Sequence, residues 1–251
     1  MYRNLFILFL CVLGALQLKS QGTGLSDQAM FALGNLDPNS AIFVVSREGM
    51  KIEGTQFKND DWTDARIRLK KINTFSEIVE VLLDLENQEL YFRFKNDKEN
   101  LGKLLPDDLD ALVLYIPGDT LLYEVHDLYK RAHAGPPGSK FYEILYAGKN
   151  ILLHMERKYL RKEDYIENLG MVRRPNIYKS LHAYYLIKGR RLVEVRRNEK
   201  SIEKAFPEYA SEIRKLVKSE GLRVNREEDM ARLIQLIEAN EVNWAPQRKK
   251  S

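Results

Sequence analysis

Four histidines carry the chain's side chains of near-neutral ordinary pKa: His126, His133, His154 and His182. His126-Asp127 with His133 seven positions on, and His154-Met155-Glu156, are the raw material of a metal site, because zinc takes neutral imidazole and carboxylate ligands in tetrahedral geometry. Neither group follows a recognised ligand spacing, and one pair of nitrogens does not hold a metal tightly. His133 sits directly before a Gly-Pro loop, where an exposed imidazole is the plain reading, and on a strand His154 and Glu156 share a face as ordinary surface residues would. The expectation is no metal and no cofactor, with His126, His133 and His154 as the positions where a metal would have to sit.

Other chemistry is less well provided for. There is no Gly-x-Ser-x-Gly elbow, and Ser180-Leu181-His182 places a hydroxyl near an imidazole without the geometry that activates it. Asp60-Asp61, Asp107-Asp108 and Glu227-Glu228 are adjacent carboxylates, whereas acid-base catalysis needs two at a set separation with their pKa values pushed apart. Glu227 and Glu228 are explained by the first turn of a helix, where negative charge meets the dipole. Asp60, Asp61 and Trp62 are the acidic group to inspect for cation or sugar binding, against a turn anchored by a buried tryptophan. No catalytic residue is assigned.

Basic residues cluster at Arg157-Lys158 with Arg161-Lys162, at Arg173-Arg174, and at Arg190, Arg191, Arg196 and Arg197. If the hairpins that carry them lie side by side, they converge with Tyr159, Tyr165 and Tyr178 into a patch able to meet an anionic polymer or lipid head groups. Glu156, Glu163, Asp164 and Glu194 are interspersed, so a solvated sheet face is the competing reading.

The elements that must position these residues read mostly as strands. Ala41 to Ser46 follows the turn cluster Asn35 to Ser40. In Ala65 to Lys71, Ala65, Ile67 and Leu69 alternate with Arg66, Arg68 and Lys70 as a half-buried strand does, and its charges would protect a sheet edge. Residues 74 to 85 fit a capping box and a helical spacing, but β-branched Val79 and Val81 and a hairpin connection into Leu90 to Phe94 favour a strand. Pro106-Asp107-Asp108 and Pro117-Gly118-Asp119 punctuate strands at Ala111 to Ile116 and Leu121 to Val125, and Ala134 to Ser139 is a loop. Two hairpins follow, 141–146 with 151–158 and 181–187 with 192–196, separated by a charged connection from Arg161 to Tyr178. From Asn198 the period becomes helical. Ser201 to Phe206 allows a turn or more, Pro207 opens a helix with Ala210, Ile213, Leu216 and Val217 on one face, and Gly221 ends it. Asn225 then caps a helix striped by Met230, Leu233, Ile234 and Ile237.

The chain opens with one basic residue, Arg3, an apolar run from Leu5 to Leu16 and an abrupt polar turn at Gln17 to Gln21, the layout of a secretory leader. The run is too short for the roughly 20 residues a spanning helix needs, so cleavage is expected, after Ser20 with Ala15 as another small residue. Cys11 lies mid-run, away from a lipidation position. Removing 1–20 deletes that only cysteine, so the exported chain must be held together by packing without disulfides or a thiol nucleophile. Its 40 basic residues less Arg3 and Lys19 leave 38 against 36 acidic, which lacks the bias of a nucleic-acid binder. No second long apolar segment follows.

Glu53-Gly54-Thr55, Asn59-Asp60-Asp61-Trp62, Phe141-Tyr142-Glu143, Gly148-Lys149, Tyr184-Tyr185-Leu186 and Arg226-Glu227-Glu228-Asp229 in this order resemble an uncharacterised family of exported Bacteroidota proteins. The segment around Asp107-Asp108-Leu109-Asp110 is longer and more acidic than that pattern. The resemblance implies a β-rich body with terminal helices and transfers no functional residue.

The expected architecture is α+β: a leader (1–20), a body (21–197) of antiparallel strands in a curved sheet or partial barrel, an amphipathic helix pair (198–240) and a basic tail (241–251). The expected role is an exported envelope, periplasmic or extracellular module that binds an unidentified macromolecule or protein partner without catalysing a reaction. The competing expectation is a hydrolase or metal-dependent enzyme using the histidines and carboxylates.

Overall fold

The computed structural model describes residues 52–132, 137–162 and 176–244. The expected leader, the strand expected at Ala41 to Ser46, His133, Arg173-Arg174, Tyr165 and most of the segment 161–178 lie outside the described residues, as does the end of the basic tail.

Among the described residues eleven strands form one sheet. They are β1 (Ile52–Glu53), β2 (Thr63–Leu69), β3 (Val79–Asp84), β4 (Glu89–Phe94), β5 (Asp97–Leu104), β6 (Leu109–Ile116), β7 (Asp119–His126), β8 (Lys140–Ala147), β9 (Asn150–Arg161), β10 (Asn176–Lys188) and β11 (Arg191–Val195). The order across the sheet is β1-β10-β9-β8-β7-β6-β2-β3-β4-β5, with β11 on the same edge of β10 as the short parallel β1. All other pairs are antiparallel.

The sheet curls without closing. The turn after β3 reaches back so that the Lys158 backbone N–H donates to the Leu85 carbonyl (3.1 Å) and the Phe141 N–H to the Gln88 side-chain oxygen (3.2 Å). Asp84, fully buried, holds that turn: its carboxylate accepts from the Glu86 and Asn87 backbone N–H groups and from the Asn87 and Gln56 amides, each at 2.9 Å. A buried charge is tolerable only when so satisfied.

Short helix α1 (Leu128–Ala132) follows β7, and three helices close the described chain: α2 (Glu199–Ala205), α3 (Ala210–Ser219) and α4 (Glu227–Trp244). Asn198 caps α2, accepting from the Ser201 N–H at 2.9 Å. Gly221 sits in the left-handed region (φ 63°) beyond α3, where the Leu222 N–H closes on the Val217 carbonyl. Ile213 and Val217 of α3 and the fully buried Met230, Leu233, Ile234 and Ile237 of α4 pack on Leu152, Tyr184, Leu186 and Val195 of the sheet. A second core fills the curl between β2, β3, β4, β6 and β7.

The α+β class, the curved sheet and the terminal helices match the sequence expectation, with four differences. β2 is an interior strand between β3 and β6, not an edge; Arg68 there is paired with Asp110 at 2.6 Å. β5 carries no apolar alternation in its first half, and it forms because Gly102 lets the Phe92 ring lie directly over its backbone; a Cβ there would fall 2.3 Å from the ring. Pro207 opens a 3-10 turn and α3 begins at Ala210, so the pair of helices becomes three. Finally, α4 runs past residue 240 to Trp244, whose ring packs 5.5 Å from that of Tyr209.

Candidate functional site

Strand register brings one row of polar side chains onto the helix-covered face. Glu143 of β8 lies opposite His154 of β9, which lies opposite Tyr184 of β10; one step further along, Glu156 is opposite His182. Residues opposite one another in register share a face, so side chains from three strands come together in a single cluster. The row falls where the core in the curl gives way to the core under the helices.

Its centre is His154, only 3% exposed, with both ring nitrogens engaged. Nδ1 is 3.2 Å from Glu143 Oε2 and Nε2 is 2.9 Å from His182 Nδ1. The rings of His182 and Tyr184 stack on it, Tyr184 at 4.8 Å and nearly parallel. A carboxylate only accepts, so Nδ1 of His154 carries a proton toward Glu143; when the ring is neutral its Nε2 accepts from His182 Nδ1–H, and the lone pair of the relay then rests on His182 Nε2. His182 is exposed.

Charges from other elements brace this relay. Lys58 donates to Glu156 at 2.9 Å and lies 4.0 Å from Glu143; the Ser180 hydroxyl donates to Glu156 at 2.9 Å. Burial alone would raise the Glu156 carboxyl, but the Lys58 ammonium and the Ser180 hydroxyl outweigh it and hold it below the usual glutamate range. From α4, Glu227 accepts the Tyr184 hydroxyl at 2.6 Å and stands 3.9 Å from His154 Nε2, with the Arg197 guanidinium 3.8 Å away. Burial and Glu227 together push the Tyr184 phenol above its ordinary value. Tyr123, buried on β7 and facing the charges of Glu143, Glu156 and Glu227, is pushed up in the same direction, chiefly by burial.

For His182 burial is the leading influence, with His154 second, and both push its pKa below the ordinary 6.5 against the pull of Glu156 and Glu227. A histidine whose folded pKa is depressed favours the folded state fully above its unfolded value, and that contribution is lost as pH falls through the folded value. The expected result is a His182 ring signal in NMR that titrates below pH 6.5, together with folding stability that declines from pH 6.5 downward; His182→Gln should flatten that part of the profile.

The sequence candidates are dispersed. His126 lies on β7, its Nε2 3.0 Å from Glu124, away from His154. Among the described residues no three His, Cys, Asp or Glu side chains are arranged to hold a metal. Trp62 is half-buried beneath the Arg93 guanidinium (4.3 Å), a cation–π contact within the sheet, while Asp60 and Asp61 are exposed in the preceding turn. Tyr178 donates toward Gln56 (3.1 Å) and Glu86 (3.0 Å) and stands ten residues along β10 from Lys188, about 33 Å at strand rise. Arg190 sits in the β10–β11 turn and Arg191 opens β11, and with Lys188 and Lys204 they surround a shallow depression beside Glu208. Arg196 and Arg197 lie at the other end of β11, and Arg197 is drawn into the histidine cluster. The four arginines and Tyr178 therefore do not form one patch. The relay through His182 had no sequence signal, because the register that joins positions 154 and 182 depends on the connection between their strands.

Among the described residues no helix is long and apolar enough to cross a membrane. Compared with known proteins, the chain matches no family model, no curated protein and no solved structure.

Proposed function

We propose that this chain is exported and serves in the cell envelope or outside the cell as a binding module without a reaction of its own. The observation that carries the binding half is the division of its charge. The imidazoles and carboxylates capable of chemistry are turned on one another: His154 is sealed with both nitrogens engaged, the Ser180 hydroxyl is committed to Glu156, and Tyr184 to Glu227. Cations are what the surface offers instead, at exposed Arg190 and Arg191 beside Lys204 and at exposed Arg157. Such cationic surface speeds and orients encounter with anionic partners.

Export rests on the three-part leader at residues 1–20 and is supported by the resemblance to exported Bacteroidota proteins. The enzymatic reading keeps one point in its favour, the lone pair that the Glu143–His154 relay leaves on exposed His182, but the hydroxyl nearest in sequence faces Glu156. Fractionation of cells expressing the whole chain is expected to find it outside the cytoplasm and shortened near Gln21, and a Leu8→Arg, Leu10→Arg variant is expected to stay inside at full length. Full-length protein in the cytoplasm for both would overturn export. Affinity capture from the native envelope, compared with Arg190→Glu, Arg191→Glu, addresses binding; an identical set of partners removes that turn from the interface.

A further inference from the structure

β9 and β10 are the longest strands of the sheet, and β8 pairs only with residues 151–154 of β9, so the far half of the pair runs on as a ribbon joined at its end by the two residues of β1. Its inner face is occupied: Glu156 meets Lys58, Lys158 meets the Phe57 carbonyl and Tyr178 meets Gln56. The outer face carries Arg157 opposite Leu181 and Tyr159 opposite Lys179. Leu181 is 55% exposed and Tyr159 41%, and they are diagonal neighbours with a cation beside each. Among the described residues neither Arg157 nor Lys179 has an ion-pair partner; the nearest acid by register is Glu53, opposite Ile177 at the end of the ribbon. A solvated strand face calls for polar residues, and this one keeps an exposed leucine and an exposed tyrosine between its charges.

Resting on the exported binding reading, we propose that this outer face docks the protein on an anionic lipid surface. The ligand chemistry follows from the pairing of residue types. An acidic polypeptide would answer the two cations but leave Leu181 with nothing to bury against. The boundary between head groups and acyl chains takes both: Leu181 and the Tyr159 ring enter it, while the Arg157 and Lys179 stems lie along the apolar layer with their charges at the phosphates. Each cation near such a surface contributes enough that losing both lowers partitioning roughly thirtyfold. Attachment of this kind is reversible and sensitive to salt.

The test is co-sedimentation of the purified protein with vesicles of phosphatidylcholine alone and of equal parts phosphatidylcholine and phosphatidylglycerol, with dextran sulfate as a soluble polyanion. Binding to the mixed vesicles only, weakened by salt, lowered roughly thirtyfold by Arg157→Ala, Lys179→Ala and lowered again by Leu181→Ser is the expected result. The surface substitutions should leave the fold intact, and Lys215→Ala, Lys218→Ala, which removes two exposed cations of α3, should leave vesicle binding unchanged. Equal binding to neutral vesicles, indifference to the ribbon variants, or an equal loss through Lys215 and Lys218 would overturn the proposal. Binding to dextran sulfate with no vesicle binding would also overturn it, while leaving the wider binding function standing; failure of both together with an empty capture experiment would remove that function as well.

Discussion

Phe206→Ala is expected to lower folding stability by about 3–5 kcal/mol, the range for deleting a large, fully buried aromatic. Phe206 ends α2 with no exposed surface and sits in the core beneath the helices. The Lys188 ammonium lies 4.3 Å from its ring centroid and also donates to the Ala205 carbonyl (3.3 Å) and to Glu208 (2.5 Å). One side chain thus joins the helical layer to the β10–β11 hairpin. Removing the ring opens a cavity and takes away the surface over which Lys188 is held. Chemical denaturation of the variant should show a lower midpoint, and Arg190→Ala, two residues from Lys188 but exposed, should stay within about 0.5 kcal/mol of the parent. Equal stability of the two variants would mean that the helices are not fastened to the sheet at this point.

Local periodicity made the helical layer readable. Met230, Leu233, Ile234 and Ile237 recur at the spacing of one helix face, and all four are fully buried. Hairpins were readable for a similar reason: Gly189 adopts φ 60° in the turn between β10 and β11, a position that a glycine signals. What local pattern does not contain is which strand lies beside which. β2 has an alternation that suits an edge or an interior equally, and its place between β3 and β6 depends on contacts forty or more residues away in β6. β5 was hidden because its fit depends on a missing side chain, Gly102 under Phe92, instead of on a pattern of apolar ones.

The histidine cluster was illegible for the same physical reason. Glu143 and His154 are 11 residues apart, His154 and His182 are 28, and Tyr184 and Glu227 are 43. Each residue read alone has an ordinary explanation: Glu227 at a helix start, His154 on a strand, Ser180 hydrogen-bonded in a loop or at a strand start. Only the two-residue period of facing strands, fixed in register by a curled sheet, makes them neighbours. The basic clusters show the opposite error. One patch was expected if the hairpins lay side by side, and they do, but a strand separates its ends by about 3.3 Å per residue and carries alternate residues to opposite faces. Arg157 and Lys158 accordingly part company, one to the outer face of the ribbon and one to the Phe57 carbonyl within.

Asp84→Ala should cost about 3 kcal/mol, since hydrogen bonds to a charged group are the stronger kind and four donors lose their acceptor at once. The consequence reaches the histidine cluster through the backbone. Asp84 shapes the turn whose Leu85 carbonyl receives the Lys158 N–H, and the preceding Leu83 carbonyl receives that of Lys58; Lys58 in turn holds Glu156 beside His182. Loosening the turn therefore lets water reach the row of polar side chains. Burial is the main reason the His182 pKa is depressed, so the variant should titrate closer to 6.5 than the parent does. Asp84→Asn, which keeps the volume but turns one acceptor into a donor facing the Gln56 and Asn87 amides, should fall between the two in stability. NMR titration and urea unfolding of the three proteins measure both effects. A destabilised Asp84→Ala protein with an unmoved His182 midpoint would show that the turn closes the sheet without setting the electrostatics of the cluster. An unchanged stability would remove the turn from the account of the curl altogether.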